Sequence, residues 1–254
     1  MSEKASQRVM LSREKLASAV GDRWSDAELS EAVSLLTQAD GRFPAGVRTL
    51  PGDLVKAIQR ERLLAAMIDV VAEIGYNALT VQNVLTRAGI SRPTFYEQFE
   101  DKEDCFLAAL DAASSRMRGR VEDGQAEAGP SWRDRLRGGL VGLLGFIADE
   151  PAEARAVIVE ARASTPAGLR RRDEMLDGYA ACIDALVRED LEEPPSAIAA
   201  AGVVGGIESV LYTRLQKDEA GELDELLPSL MYFAVLAYAG REAAGDELDD
   251  AALA

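Results

Sequence analysis

Residues Arg87–Glu103 read RAGISRPTFYEQFEDKE. Gly89 is the residue best able to take the positive φ of a tight turn. Ser91 is an N-cap for a short helix with Pro93 in its first turn, where a missing N–H costs nothing. Asp101 is placed to cap a further helix. Phe95 and Phe99, four apart, face one way into a core with Val81, Leu85 and Ile90, while Tyr96 lies about 100° round and presents its hydroxyl outward. Arg92 stands at the positive end of a helix macrodipole, where a cation is disfavoured by roughly 0.3–1 kcal/mol. A nearby anion reverses that sign, and Lys102 repeats the anomaly in the next helix. Two helices joined by a short glycine turn make a helix-turn-helix, whose second helix enters the DNA major groove, although any helical bundle has such corners.

Upstream, Leu64, Met67, Ile68, Val71 and Ile74 recur at helical spacing, predicting an amphipathic helix that ends at Gly75. Thr80 is the expected N-cap of a helix from Val81 to about Arg87. A longer helix is expected from Lys102 to about Glu122. Residues 1–54 form an extension with a helix over 12–20 and a second opened by the capping-box pattern SDAE at Ser25–Glu28. Trp24 reads as its hydrophobic anchor. A Pro/Gly-containing linker follows over Gly41–Asp53, and its Arg42 and Arg48 either follow a minor groove or belong to a solvated linker. Beyond residue 124 more helices are punctuated by GPS, DEPAE, STPAG, EEPPSA and KDEAGE. No stretch alternates with period two, so the fold class is all-α. The expected domains are 1–54 (extension), 55–104 (helix-turn-helix), 105–240 (larger helical domain) and 241–254 (a frayed acidic tail).

The 254 residues carry a formal charge of −16, which argues against bulk attraction to nucleic acid. The acid is unevenly spread: residues 1–104 hold 13 basic against 16 acidic side chains, and residues 105–254 hold 15 against 28. With no histidine, His-based acid–base chemistry, Ser-His-Asp triads and His-containing zinc sites are excluded, so catalytic and metal residues are none. No phosphate-cradling glycine loop is present and no cofactor is expected. Cys105 and Cys182 form no close pair, as in a reducing cytoplasm. The start has no apolar h-region, and the longest apolar run, Ala197–Ile207, is too short for a membrane span.

The stretch Leu63–Leu110, and its core GISRPTFYEQFEDKED above all, resembles the DNA-binding domain of the tetracycline-repressor (TetR) family of bacterial transcriptional regulators. VVGGIESVLYTRL and LLPSLMYFAVLAY are similar to the last two helices of many members. The resemblance implies that Ser91, Arg92, Pro93 and Thr94 line base edges and that Thr80, Tyr96, Gln98 and Lys102 hold phosphates. Family members often have histidine where Gln98 stands; the amide still donates but carries no charge. Arg92 suits a guanine, whose O6 and N7 match its fork. Glu97, Glu100, Asp101, Glu103 and Asp104 crowd the same neighbourhood; the last three suit capping and dipole compensation. The resemblance further implies a homodimer on a palindromic operator, released by a small-molecule effector, acting as a repressor.

In the C-terminal half, Gly202, Gly205 and Gly206 each cost roughly 1 kcal/mol against alanine inside a helix, which makes sense where another helix approaches closely. The next helix, with Leu227, Met231 and Ala234, is apolar nearly all round. A two-fold four-helix interface accommodates both, as does burial inside one domain. Trp132, Phe146, Met175, Tyr179 and Cys182 lie on helices able to line a ligand cavity, or are plain core. Arg170–Arg172 either binds an anionic ligand or is a solvated face. The alternative to a DNA-binding regulator is a dimeric helical ligand- or partner-binding protein with little DNA affinity.

Overall fold

The computed structural model describes Trp24, Ser25, Ala27, Leu29 and Ser30 together with residues 51–191, 196–217 and 223–252. Among these residues all regular structure is helical. In the extension, the Leu29 amide bonds the Ser25 carbonyl at 3.1 Å and Leu29 is buried. The expected helix over 12–20, Arg42 and Arg48 lie outside the described residues.

The chain divides into two compact units, Met1–Ala109 and Leu110–Ala254. The boundary falls five residues beyond the expected 104. In the first unit, α1 (Gly52–Ile74), α2 (Val81–Ala88) and α3 (Arg92–Gln98) are followed by the start of α4 (Lys102–Glu127). Gly75, at φ 75°, closes α1, and Gly89, at φ 64°, closes α2 in the left-handed region. Thr80 and Asn83 form a reciprocal capping box at α2. Ser91 accepts the Thr94 amide at α3, which has Pro93 in its first turn. Phe95 and Phe99 are buried with centroids 5.7 Å apart, beside buried Val84, Leu85 and Ala88.

The second unit contains the rest of α4, then α5 (Trp132–Asp149). Next comes α6, which runs through Pro151–Arg155, a π-helical turn at Ala156–Glu160 and Ala161–Ala163. It is followed by α7 (Pro166–Asp190), α8 (Ile198–Gln216) and α9 (Leu227–Ala252). Here α4 and α5 touch backbone to backbone. A Cβ on Gly138 would lie 2.1 Å from the Gly124 carbonyl oxygen, and one on Gly142 would lie 2.1 Å from that of Arg120. Glycine is required at both places because a carbonyl, unlike a side chain, cannot swing aside.

The frayed tail is corrected. Gly240, at φ 81° and ψ −179°, breaks α9, and the chain resumes as helix to Ala252. Glu247 beyond the break is buried between Arg133, whose Nε donates at 2.8 Å, and Arg137. Two guanidiniums on α5 thus hold a segment that its composition marked as solvated. The interface expectation is corrected in part as well. Met231 and Ala234 are fully buried within the protomer, Leu227 is half-buried, and a Cβ on Gly206 would meet the ring of the chain's own Phe233 at 2.6 Å. Gly202 and Gly205 do face open space.

Gly138→Ala is expected to lose at least the 1–3 kcal/mol typical of overpacking. Gly119→Ala, on α4 where a Cβ meets nothing within 4 Å, is expected to gain about 0.4–1 kcal/mol. Denaturant unfolding of the two variants checks this, and equal effects would mean that α4 and α5 do not touch through their backbones.

Candidate functional site

On the first unit, the ends of α2 and α3 carry an exposed polar surface. Thr80, Ser91, Arg92, Pro93 and Tyr96 are exposed, Thr94 is half-buried, and Tyr96 packs edge-on against Phe95 at 5.3 Å. Arg92 donates from Nη2 to Gln82 Oε1 at 3.2 Å, and Gln82 Nε2 in turn reaches the Thr86 hydroxyl at 3.3 Å. Gln82 and Thr86 belong to this surface although the sequence reading passed over them. The legible signal was their i, i+4 spacing on the polar side of α2. The chain Arg92–Gln82–Thr86 fixes the direction of an arginine that would otherwise sweep a wide volume.

Two residues expected here are held elsewhere. Lys102 donates from Nζ to the carbonyls of Tyr76 at 3.3 Å and Leu79 at 3.1 Å, and lies 4.3 Å from the Tyr76 ring centroid. Its position at a helix N-terminus is therefore offset by carbonyl oxygens of the α1–α2 connection, with no outside anion needed. Gln98 donates to the Lys56 carbonyl at 3.5 Å, and its own carbonyl accepts from Arg60 Nη1 at 3.3 Å. Arg60 also stacks 4.4 Å from the Phe99 centroid. Buried Arg62 donates to the Ala88 carbonyl at the end of α2. Two arginines of α1 thus answer the C-terminal carbonyls of both helices of the motif, where the macrodipole also favours a cation.

The second unit contains an almost wholly apolar, partly open cavity of about 80 Å³. Met175, Tyr179 and Cys182 line it, as the sequence allowed. Trp132 and Phe146 do not. Trp132 packs edge-on against Tyr238 at 5.6 Å while its backbone amide donates to Asp190 at 2.6 Å, and Phe146 is buried elsewhere on α5. Residues missed from sequence complete the wall, among them Met117, Gln125, Leu140 and Glu208. They sit on helices far apart in the chain, so no local spacing marks them. The π-turn of α6 brings Ile158 to the wall, and such turns recur at functional sites.

Glu208 is a buried carboxylate. It accepts from Arg162 at 3.0 Å and from Arg172 at 2.8 Å, and Arg172 also donates to Asp173 at 2.8 Å. Arg171 pairs with Asp111 at 3.4 Å, so the arginine run is largely spent on internal partners. Burial pushes the Tyr179 hydroxyl up to about 12, and burial likewise pushes the Cys105 thiol up, leaving it protonated and unreactive. Among the described residues no cluster of His, Cys, Asp or Glu could hold a metal ion.

Residues 63–109 match the family described as "Bacterial regulatory proteins, tetR family". The chain is 24% identical over 212 residues to the HTH-type transcriptional activator FasR of Mycolicibacterium smegmatis, covering 81% of this chain and 94% of that protein. Its fold is similar to that of the fatty acid degradation regulator FadR from Bacillus halodurans, with TM-score 0.63, 21% identity and coverage of 70% and 94%. It is also similar to the transcriptional regulator FadR from Bacillus subtilis, solved in complex with stearoyl-CoA, with TM-score 0.61, 22% identity and coverage of 70% and 97%. These structural likenesses establish the fold.

Lys102→Met keeps the aliphatic stem but leaves two carbonyls without their donor. It is expected to cost the unit roughly 1–3 kcal/mol, seen as a lower melting temperature. An unchanged melting temperature would return Lys102 to the phosphate-holding role the resemblance implied.

Proposed function

Since the chain belongs to the tetR family of DNA-binding transcriptional regulators, we propose that it leaves its operator when a long acyl chain fills the cavity of the second unit. The cavity carries this reading. Protein interiors keep few voids larger than a water molecule, so an apolar void of about 80 Å³ marks where a ligand enters, and because ligand pockets span roughly 300–1,000 Å³ its walls must part to admit a long chain. Its walls are branched and thioether side chains, and methionines such as Met117 and Met175 adapt to a slender, flexible guest. Relatives named as fatty-acid regulators, one of them solved with stearoyl-CoA, support the same ligand class. Release on ligand binding lifts a repressor or withdraws an activator, and the relative from Mycolicibacterium smegmatis is named an activator.

On the DNA side, Ser91, Arg92, Pro93 and Thr94 read base edges while Thr80 and Tyr96 meet phosphates. Exposed Glu97 and Glu100 lie on and just beyond α3, so the contact is carried locally by Arg92 and the uncharged groups of Thr80, Gln82, Asn83, Thr86, Ser91 and Tyr96. Hexadecanoyl-CoA is expected to release wild-type protein from DNA carrying its own promoter in a retardation assay. Arg92→Ala is expected to lose roughly 1–3 kcal/mol of specific binding and base preference at one position per half-site, with an unchanged melting temperature. Retention of the complex at saturating acyl-CoA would refute the ligand reading, and equal losses on operator and random DNA would refute the assignment of Arg92.

The chain works as a homodimer through the outer face of α8 and α9. Ile198 is 78% exposed, Val210, Phe233 and Leu236 about two-fifths, and Gly202, Gly205, Ser209 and Thr213 extend the uncharged face. Only 39% of the most apolar stretch of α8 is buried in its own chain, although the helix is long and apolar enough to cross a membrane. A second copy covers such a face, and two half-sites need two subunits. Leu236→Glu changes a side chain exposed in the protomer, and the two-fold axis repeats the change. It is expected to give a folded monomer in sedimentation velocity, with operator affinity reduced by roughly 10²–10⁴. A dimer of full affinity would move the interface off this face.

A further inference from the structure

We propose that Arg171 is a two-position switch, paired with Asp111 of α4 while the cavity is narrow and passed to Glu174 of its own helix when a ligand widens it. The proposal rests on the acyl-chain reading above and deepens it by naming the contact that widening breaks.

How each helix is fastened decides which wall yields. Met117 on α4, Leu140 on α5 and Met175 on α7 all face the cavity. α4 and α5 meet backbone to backbone, at Gly124 with Gly138 and at Arg120 with Gly142, so this pair of helices stays together. α7 is held differently. Its C-terminal end is fastened to α5, where Asp190 accepts the Trp132 amide at 2.6 Å and Glu189 accepts from Arg135 at 2.7 Å. Nearer its N-terminal end, Arg172 ties it to Glu208 of α8 at 2.8 Å. Its tie to α4 at that end is one side-chain pair, Arg171 Nε to Asp111 Oδ1 at 3.4 Å. Arg171 stands one turn before Met175. A guest that parts α7 from α4 therefore pulls on this pair.

The guanidinium has its second partner in place. Arg171 Nη1 lies 4.0 Å from Glu174 Oε2, three residues on along α7. When Asp111 recedes, rotation of the arginine side chain keeps it next to a carboxylate. All three side chains are about half-exposed or more, so neither arrangement buries an unpaired charge and the preference between them is small. One cation between two carboxylates supplies the two discrete arrangements that a ligand can bias. Asp111 is the second residue of the second unit, on the helix that continues into the first unit as far as Lys102. Arg171 thus holds α4 just where it leaves the DNA-binding unit.

Retardation of DNA carrying the protein's own promoter, titrated with hexadecanoyl-CoA, reads the switch on the full chain through the release midpoint. Asp111→Asn removes the partner of the narrow state and is expected to lower the midpoint roughly two- to fivefold, as much as a half-exposed pair allows. Glu174→Gln removes the partner of the widened state and is expected to raise it by a similar factor. In an Arg171→Gln background both substitutions are expected to lose their effect, because they act through one cation. A structural role alone would not move two variants in opposite directions. Shifts in one direction, no shift in either variant, or shifts that persist without Arg171 would overturn the switch while leaving the acyl reading intact. Failure of hexadecanoyl-CoA to release the wild type would remove that reading and this inference together.

Discussion

Helix ends in a small unit need partners for their carbonyls, and in the first unit cationic side chains supply them. Arg62 reaches the Ala88 carbonyl and Arg60 the Gln98 carbonyl, so α1 holds the C-terminal ends of both helices that follow it. Lys102 does the same for the connection from Tyr76 to Leu79. These bonds set the directions of α2 and α3, and so where Arg92 and Gln82 point. Rigid support of this kind keeps the Arg92 guanidinium, tied to Gln82, within a narrow range of directions.

The second unit answers a different demand. Its many acidic residues leave few cations to spare, and the buried glutamates claim several of them. Glu153 takes Arg116 at 2.9 Å, Glu208 takes Arg162 and Arg172, and Glu247 takes Arg133 and Arg137. Buried pairs of this type add little net stability, yet losing one partner is costly because the other charge stays buried. They act as fixed registers between distant helices. They also explain why Arg172 and Arg171, which look like an anion site in sequence, are held within the chain instead.

The two units thus handle charge in opposite ways. At the ends of α2 and α3 the first sets uncharged polar groups and one guided arginine among exposed carboxylates such as Glu97 and Glu100. The second keeps its cavity wall apolar, with its ionic groups paired around the edge.

The sequence by itself determined what depends on neighbours in the chain: helix starts at Thr80 and Ser91, the turns at Gly75 and Gly89, the inward Phe95 and Phe99, and the outward Tyr96. Caps, glycine turns and helical periodicity act over three or four residues, and they are written in consecutive letters. Met175, Tyr179 and Cys182 were legible as cavity residues for the same reason, lying on one turn-spaced stripe of α7. Tertiary structure decided the rest. It turned Lys102 and Gln98 toward carbonyls of the chain itself, sent Trp132 to Tyr238, placed Gly206 against Phe233, and buried Glu247 in a segment whose composition reads as solvent-facing. Each of these outcomes rests on a partner tens of residues away or more, and a charge or a glycine carries no mark of which distant group it will meet.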